Sequence, residues 1–218
     1  MNINYHLKPS RYRRICAHFG DTPIKLLDVG TAADSVGIAR RWLPQCRYFG
    51  LDITDQYLKP EDRAYMEKLI LADLESDTLD QLEDDFFDAI IVSHVIEHLA
   101  HGLEALERLC RKLAPGGGIY IEFPSVRSLN LPEARHTLNF SDDETHIRLY
   151  DVKEVANAMM SSGLRVIRAG RRREWARVLL SVATFPRQLA SYFKEGQLHG
   201  IGLWDLMGFA DFVYARKP

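Results

Sequence analysis

The sequence predicts an α/β fold, with a mostly parallel sheet of seven strands, helices on both faces and an antiparallel last strand. Three observations carry this. Short β-branched runs alternate with stretches of helical apolar spacing, the pattern of repeated strand–helix–strand units. One run, Phe87–Ser93 (FDAIIVS), is almost continuously apolar, as suits a strand buried on both faces. Three successive strands run into aspartates, Asp28, Asp52 and Asp73, and in open parallel sheets ligands sit beyond the carboxyl ends of the strands.

Length and composition bound the answer. A chain of 218 residues is enough for one well-buried domain, so 1–218 is taken as a single unit. Apolar residues at 46% and charged ones at 27% suit an ordinary globular protein. The formal charge of −2 favours no polyanionic partner, and no nucleic acid is expected. Cys16, Cys46 and Cys110 are odd in number and match no metal spacing, which points to a reducing compartment and no disulfide framework. Without a signal-peptide core or an apolar run of membrane-spanning length, the chain is expected to be cytoplasmic.

Residues 1–23 form an N-terminal docking segment, with an amphipathic helix over Ser10–Phe19 closed by Gly20 and Pro23. Ile24–Val29 is the first strand. Asp34 or Ser35 can cap a helix over Val36–Leu43, which Pro44 ends. Arg47–Ile53 is the second strand. A helix interrupted by Pro60 follows, then a short strand over Lys68–Ala72 and an acidic stretch with Leu74, Leu79 and Leu82 on one side, read as a solvated helical face.

After the fourth strand, Phe87–Ser93, the spacing of Ile96, Leu99, Leu103, Leu106, Cys110 and Leu113 predicts one long helix, stopped by Pro115 and Gly116–Gly118. Ile119–Phe123 is the fifth strand. Residues 125–150 are polar and weakly periodic, a lid loop at the carboxyl ends of the strands. Asp151 and Glu154 resemble a capping box for a helix to Ser161. Leu164–Ala169 is the sixth strand, and 171–208 is an insertion whose Trp175–Phe193 is helical and broken at Pro186. Phe209–Ala215 closes the sheet.

The first strand, turn and helix start bring backbone N–H groups beside a carboxylate, which suits a nucleotide-like ligand. Asp52 can accept two hydrogen bonds from a ribose diol, and Asp73 can accept one from an adenine amino group. The turn Gly30-Thr31-Ala32-Ala33-Asp34 lacks the glycines and close backbone approach that a pyrophosphate requires, so a dinucleotide is disfavoured.

DVGTAADSVG, FGLDI, LILADL, FDAIIVSHVIEHL, LAPGGGIYIEFP and the His146-x-x-x-Tyr150-Asp151 segment together resemble the class I S-adenosylmethionine-dependent methyltransferases. The likeness is greatest to the small-molecule type that includes quinone-biosynthesis enzymes. It covers roughly residues 24–170 and the last strand, and implies a Rossmann-like sheet, S-adenosyl-L-methionine as cofactor and a small-molecule methyl acceptor. It places Asp28 and Gly30 at the methionine portion, Asp52 at the ribose, Asp73 and Leu74 at adenine, and Ser93 and His94 closing the site, with Ala32 and Ile53 also among the cofactor-binding residues. Ala32 and Asp34 stand where the family commonly has glycines.

A reluctant acceptor needs a base, for which His146, His98 and Glu122 are the candidates. His94-x-x-Glu97-His98 also spells an inverted zinc-protease pattern, but it straddles a strand end and a helix start, and no metal is expected. Arg165–Arg177 holds six arginines against Glu174 alone. A solvated face, an anionic substrate group and peripheral contact with an anionic membrane are all open readings. So are a non-catalytic binding module and methylation of protein or RNA. Oligomeric state is left open.

Overall fold

The protein is described as a computed structural model covering residues 7–31, 34–76, 79, 82–132, 139–195 and 203–218, with positions 188, 191, 192, 194 and 195 given as backbone alone. Seven strands form one sheet in the order β3-β2-β1-β4-β5-β7-β6. They are β1 (Lys25–Val29), β2 (Arg47–Asp52), β3 (Lys68–Leu71), β4 (Phe87–Ser93), β5 (Leu113–Pro124), β6 (Arg165–Arg171) and β7 (Ala210–Arg216). β1 to β5 pair in parallel, and β7 runs antiparallel to both β5 and β6.

Period-two alternation sorts the side chains of the central strands into two layers. Leu27, Val29, Ile90 and Val92 face one way, into the main core with α4 (Gly102–Lys112) and α5 (Val152–Ser161). Leu26, Ala89 and Ile91 face the other, against Tyr12 and Ile15 of α1 (Ser10–Phe19) and Val36 and Ile38 of α2 (Ser35–Trp42). The β1–β4 step is where the strand order reverses, and the ligand-binding crevice of such a sheet lies there.

Several element boundaries differ from the sequence reading. Pro60 does not interrupt a helix; it opens α3 (Pro60–Tyr65) at the first helical position, where its missing N–H costs nothing. The long helix after β4 is divided into one 3₁₀ turn, Ile96–His98, and α4. The glycines at 116–118 belong to β5, whose pairing with β4 shifts register between Phe87 and Ala89. Asp34 stands at the N-cap position of α2 in the left-handed region, φ 71°, and makes no capping hydrogen bond; its carboxylate lies 3.8 Å from Lys59 Nζ. Asp151 does cap α5, accepting from the Lys153 N–H at 2.7 Å, while Glu154 pairs with Arg148 instead of completing a box. The acidic stretch lies partly outside the described residues, and α6 (Trp175–Glu195) runs through Pro186 without a break, followed by α7 (Leu203–Met207).

Candidate functional site

The crevice begins where β1 turns. Gly30 has φ 76°, and a Cβ there would stand 2.5 Å from Val95 Cγ2, so this position requires glycine twice over. The Gly30 and Thr31 N–H groups both donate to the Leu51 carbonyl, at 2.8 and 3.3 Å. The turn is thereby pinned to β2, and these two donors are not waiting for a ligand, contrary to the expectation for this junction. Ala32 lies outside the described residues.

Asp28 also departs from its expected place. It shares a strand face with Leu26, under α1 and α2, and its buried Oδ2 accepts from the Tyr48 hydroxyl at 2.6 Å. Burial pushes its carboxyl up to about 6 against the opposing pull of the Tyr48 bond and Arg11. It braces the turn from beneath and is not among the residues of the cleft wall.

The cleft, about 590 Å³, is lined by Gly30, Asp52, Ile53, Asp73, Leu74 and His94 of the expected set, joined by Tyr57, Val95, His98, Leu99 and Thr145. A volume of this size suits a nucleoside-sized ligand. Asp52 Oδ1 accepts from the Thr54 N–H at 3.1 Å and Asp73 Oδ1 from the Glu75 N–H at 2.9 Å, so short loops hold both carboxylates at the strand ends. Ser93 ends β4 opposite Glu122 in the register and is not in the cleft wall.

His94 is the node of the site. It follows β4 with φ 57°, unusual for a side-chain-bearing residue, and such backbone strain costs on the order of 1–3 kcal/mol. Its Nδ1 lies 3.0 Å from Glu97 Oε1 and its Nε2 3.2 Å from Glu122 Oε1. A carboxylate only accepts, so both ring nitrogens donate and the ring is an imidazolium. Burial opposes that charge most strongly, but the bonds to Glu122 and Glu97 outweigh it, and the pKa rises to about 9. Trp204 and Phe209 pack on the ring, at centroid distances of 5.1 and 5.9 Å.

Glu122 is therefore not the base proposed from sequence. Besides His94, its Oε1 lies 3.1 Å from Arg172 Nε, and its Oε2 accepts from the Tyr120 hydroxyl at 2.7 Å. Burial favours protonation, yet Arg172 and His94 overcome it and hold the group well below the usual carboxylate range. A buried anion with both oxygens engaged is a poor proton acceptor; its role is to orient His94. Arg172 continues the network to Asp205 of α7 at 3.5 Å, and the Glu174 N–H donates to Asp205 at 2.8 Å. Sequence reasoning saw Arg172 only as one member of a basic run and missed Trp204 and Asp205 altogether, because the insertion is brought to the site by tertiary packing alone.

A second, smaller hollow of about 140 Å³ adjoins the cleft across His94 and His98, with Asn139, Asp142, Asp143, His146, Trp204 and Phe209 as its other walls. His146 is nearly buried and its Nδ1 lies 2.7 Å from the Phe140 carbonyl, which can only accept, so Nδ1 carries a proton and in the neutral ring the lone pair is on Nε2. Asp143 Oδ2 lies 3.8 Å from that Nε2 and is held below the usual carboxylate range, chiefly by its bond from Thr145. His98 Nδ1 meets Thr145 Oγ1 at 2.9 Å, and the two imidazoles stand 4.8 Å apart. The 94–98 motif does not close on itself as a metal pattern: ligand-type atoms of Glu97, His98 and His146 lie within 4.8 Å of one another instead, and Glu97 Oε2 is buried with no hydrogen-bond partner among the described residues.

Residues 4–169 match the family model described as "Methyltransferase domain". No curated protein matches the sequence significantly. Among solved structures, a SAM-dependent methyltransferase from Archaeoglobus fulgidus is 20% identical, with 98% of this chain and 94% of that one covered and a TM-score of 0.62. A chain from the complex between the Haloferax volcanii Trm112 methyltransferase activator and a methyltransferase is 17% identical, covering 95% and 89%, with a TM-score of 0.64. Haemonchus contortus phosphoethanolamine N-methyltransferase 2, solved with S-adenosyl-L-methionine, is 18% identical, covering 95% of this chain and 52% of its own, with a TM-score of 0.60. At these identities the likeness is one of fold.

Proposed function

Because this chain belongs to the methyltransferase-domain family, we propose that it transfers a methyl group from S-adenosylmethionine to a small-molecule acceptor held in the hollow beside the cleft. The observation that carries this reading is the junction itself: a nucleoside-sized cleft and a smaller polar–aromatic hollow share His94 and His98. The cleft residues fit the cofactor. Asp52 can accept from a ribose diol and Asp73 from an adenine amino group, Ile53, Leu74 and Leu99 offer apolar surface to a purine, and Gly30 lines the cleft at the end of the first strand. Asp28, reached through the turn, supports this fit from below. When bound, the cofactor supplies a methyl carbon activated by its positively charged sulfur.

The chain's own residues then orient and deprotonate. Holding the acceptor in line contributes up to several of the roughly 7–11 kcal/mol available from orientation. Trp204 and Phe209 provide flat walls for it and exclude water. His146 Nε2, its tautomer set by the Phe140 carbonyl, takes the acceptor's proton, and Asp143 stabilises the imidazolium formed. His98 stands between cleft and hollow as a positioning residue. His94, already protonated and doubly bonded, fixes the wall between them and cannot act as a base.

Incubation of cell extract with purified protein and methyl-labelled donor tests the reading. Label is expected in the small-molecule fraction. Label confined to protein or RNA would overturn the small-molecule acceptor, and binding of cofactor with no transfer to any fraction would favour a non-catalytic module.

A further inference from the structure

Helix α6 is amphipathic in the wrong direction for a helix that faces water. Toward the domain it turns Arg177, Val178 and Ser181, all buried, with Arg177 Nε 2.8 Å from the buried Glu174. Outward it turns Trp175, Leu179, Val182, Phe185 and Leu189, which are 40–69% exposed. Steps of three and four residues keep these five within an arc of roughly 120°, along a line of about 21 Å that only the buried Val178, near the helix start, interrupts. A contiguous apolar stripe of that length on a free surface marks a contact site.

The charges around the stripe identify what it contacts. Residues 165–193 hold seven arginines and one acid, the buried Glu174; Arg172 and Arg177 are themselves buried in ion pairs, and the exposed cations are elsewhere in the segment. Arg173, just before the helix, and Arg187, on it, are exposed, as are Arg165 and Arg168 on β6, the edge strand of the sheet. The Arg173 guanidinium sits over the Trp175 ring at 5.4 Å, joining a cation to the aromatic end of the stripe. A second copy of the chain would bring basic rim against basic rim. We propose that α6 lies in the plane of an anionic membrane surface, its apolar stripe in the acyl boundary and its arginines among the headgroups. No helix among the described residues is long and apolar enough to cross a membrane, so the contact is peripheral. α6 packs on α7, which carries the Trp204 wall of the hollow, so the membrane-facing surface adjoins the site without depending on the methyl-transfer reading.

Flotation of the full chain with phosphatidylcholine vesicles, with and without roughly one third phosphatidylglycerol, tests this; the protein should float with the anionic vesicles only, and Arg187→Gln should weaken that binding about fivefold. Leu179→Glu combined with Val182→Glu should abolish flotation while circular dichroism and S-adenosylhomocysteine binding stay as in the parent. Failure of the parent to float with anionic vesicles would overturn the proposal. So would a double variant that floats unchanged, or light scattering showing a parent dimer that the double variant converts to monomer, since a second copy would then own the stripe.

Discussion

His94 offers the sharpest energetic test, because its protonation is a property of the folded site. Held between Glu97 and Glu122, its pKa rises from an ordinary 6.5 to about 9. The folded protein thus keeps a proton that the unfolded chain releases, and the stabilisation is complete below pH 6.5 and lost as pH rises through 9. The shift corresponds to roughly 3 kcal/mol, spread over that window at about 1.4 kcal/mol per pH unit. Urea unfolding at half-unit intervals from pH 6 to 10, on the parent and on His94→Gln, isolates the contribution, since other titrating groups cancel in the difference. The parent should lose stability relative to the variant across the window. Difference curves that stay flat between pH 6.5 and 9, or a His94 ring resonance titrating near 6.5, would refute the imidazolium assignment and with it the fixed-anion role of Glu122.

Gly30→Ala should destabilise the fold and weaken cofactor binding, because its Cβ must displace Val95 by more than half an ångström and φ 76° disfavours any side chain; a cost of roughly 1–2 kcal/mol is expected by denaturation, and an unchanged midpoint would contradict the packing. His146→Ala should lower kcat about 10²- to 10⁴-fold with S-adenosylhomocysteine affinity intact. If the Glu97, His98 and His146 cluster works through protons, exhaustive chelation leaves the rate unchanged; a loss restored by a divalent cation would hand its role to a metal ion.

The sheet was legible because its signals are local. FDAIIVS, the strand-end aspartates and the α1 segment were each placed to within a residue or two, since continuous apolar runs and amphipathic spacing act over a few neighbours. What was misread depends on distant partners. Asp28 reads as a ligand contact until Tyr48, twenty positions on, is seen to hold it. Glu122 reads as a base until Arg172 and His94 from two loops and Tyr120 from its own strand converge on it. Pro115 and the glycines after it carry strong turn chemistry, yet the pairing partners on either side draw them into β5. The His146 tautomer, set by a carbonyl six residues away across a loop, left no trace in the sequence.

In the proposed reaction Asp52 holds the nucleoside of the cofactor at the end of β2. Titration calorimetry of S-adenosylhomocysteine into the parent and into Asp52→Ala measures this directly. One molecule should bind per chain, and the variant, folded by circular dichroism, should bind about tenfold to a hundredfold more weakly for each charge-assisted hydrogen bond lost. A folded parent that binds nothing, or a variant that binds as tightly as the parent, would contradict it.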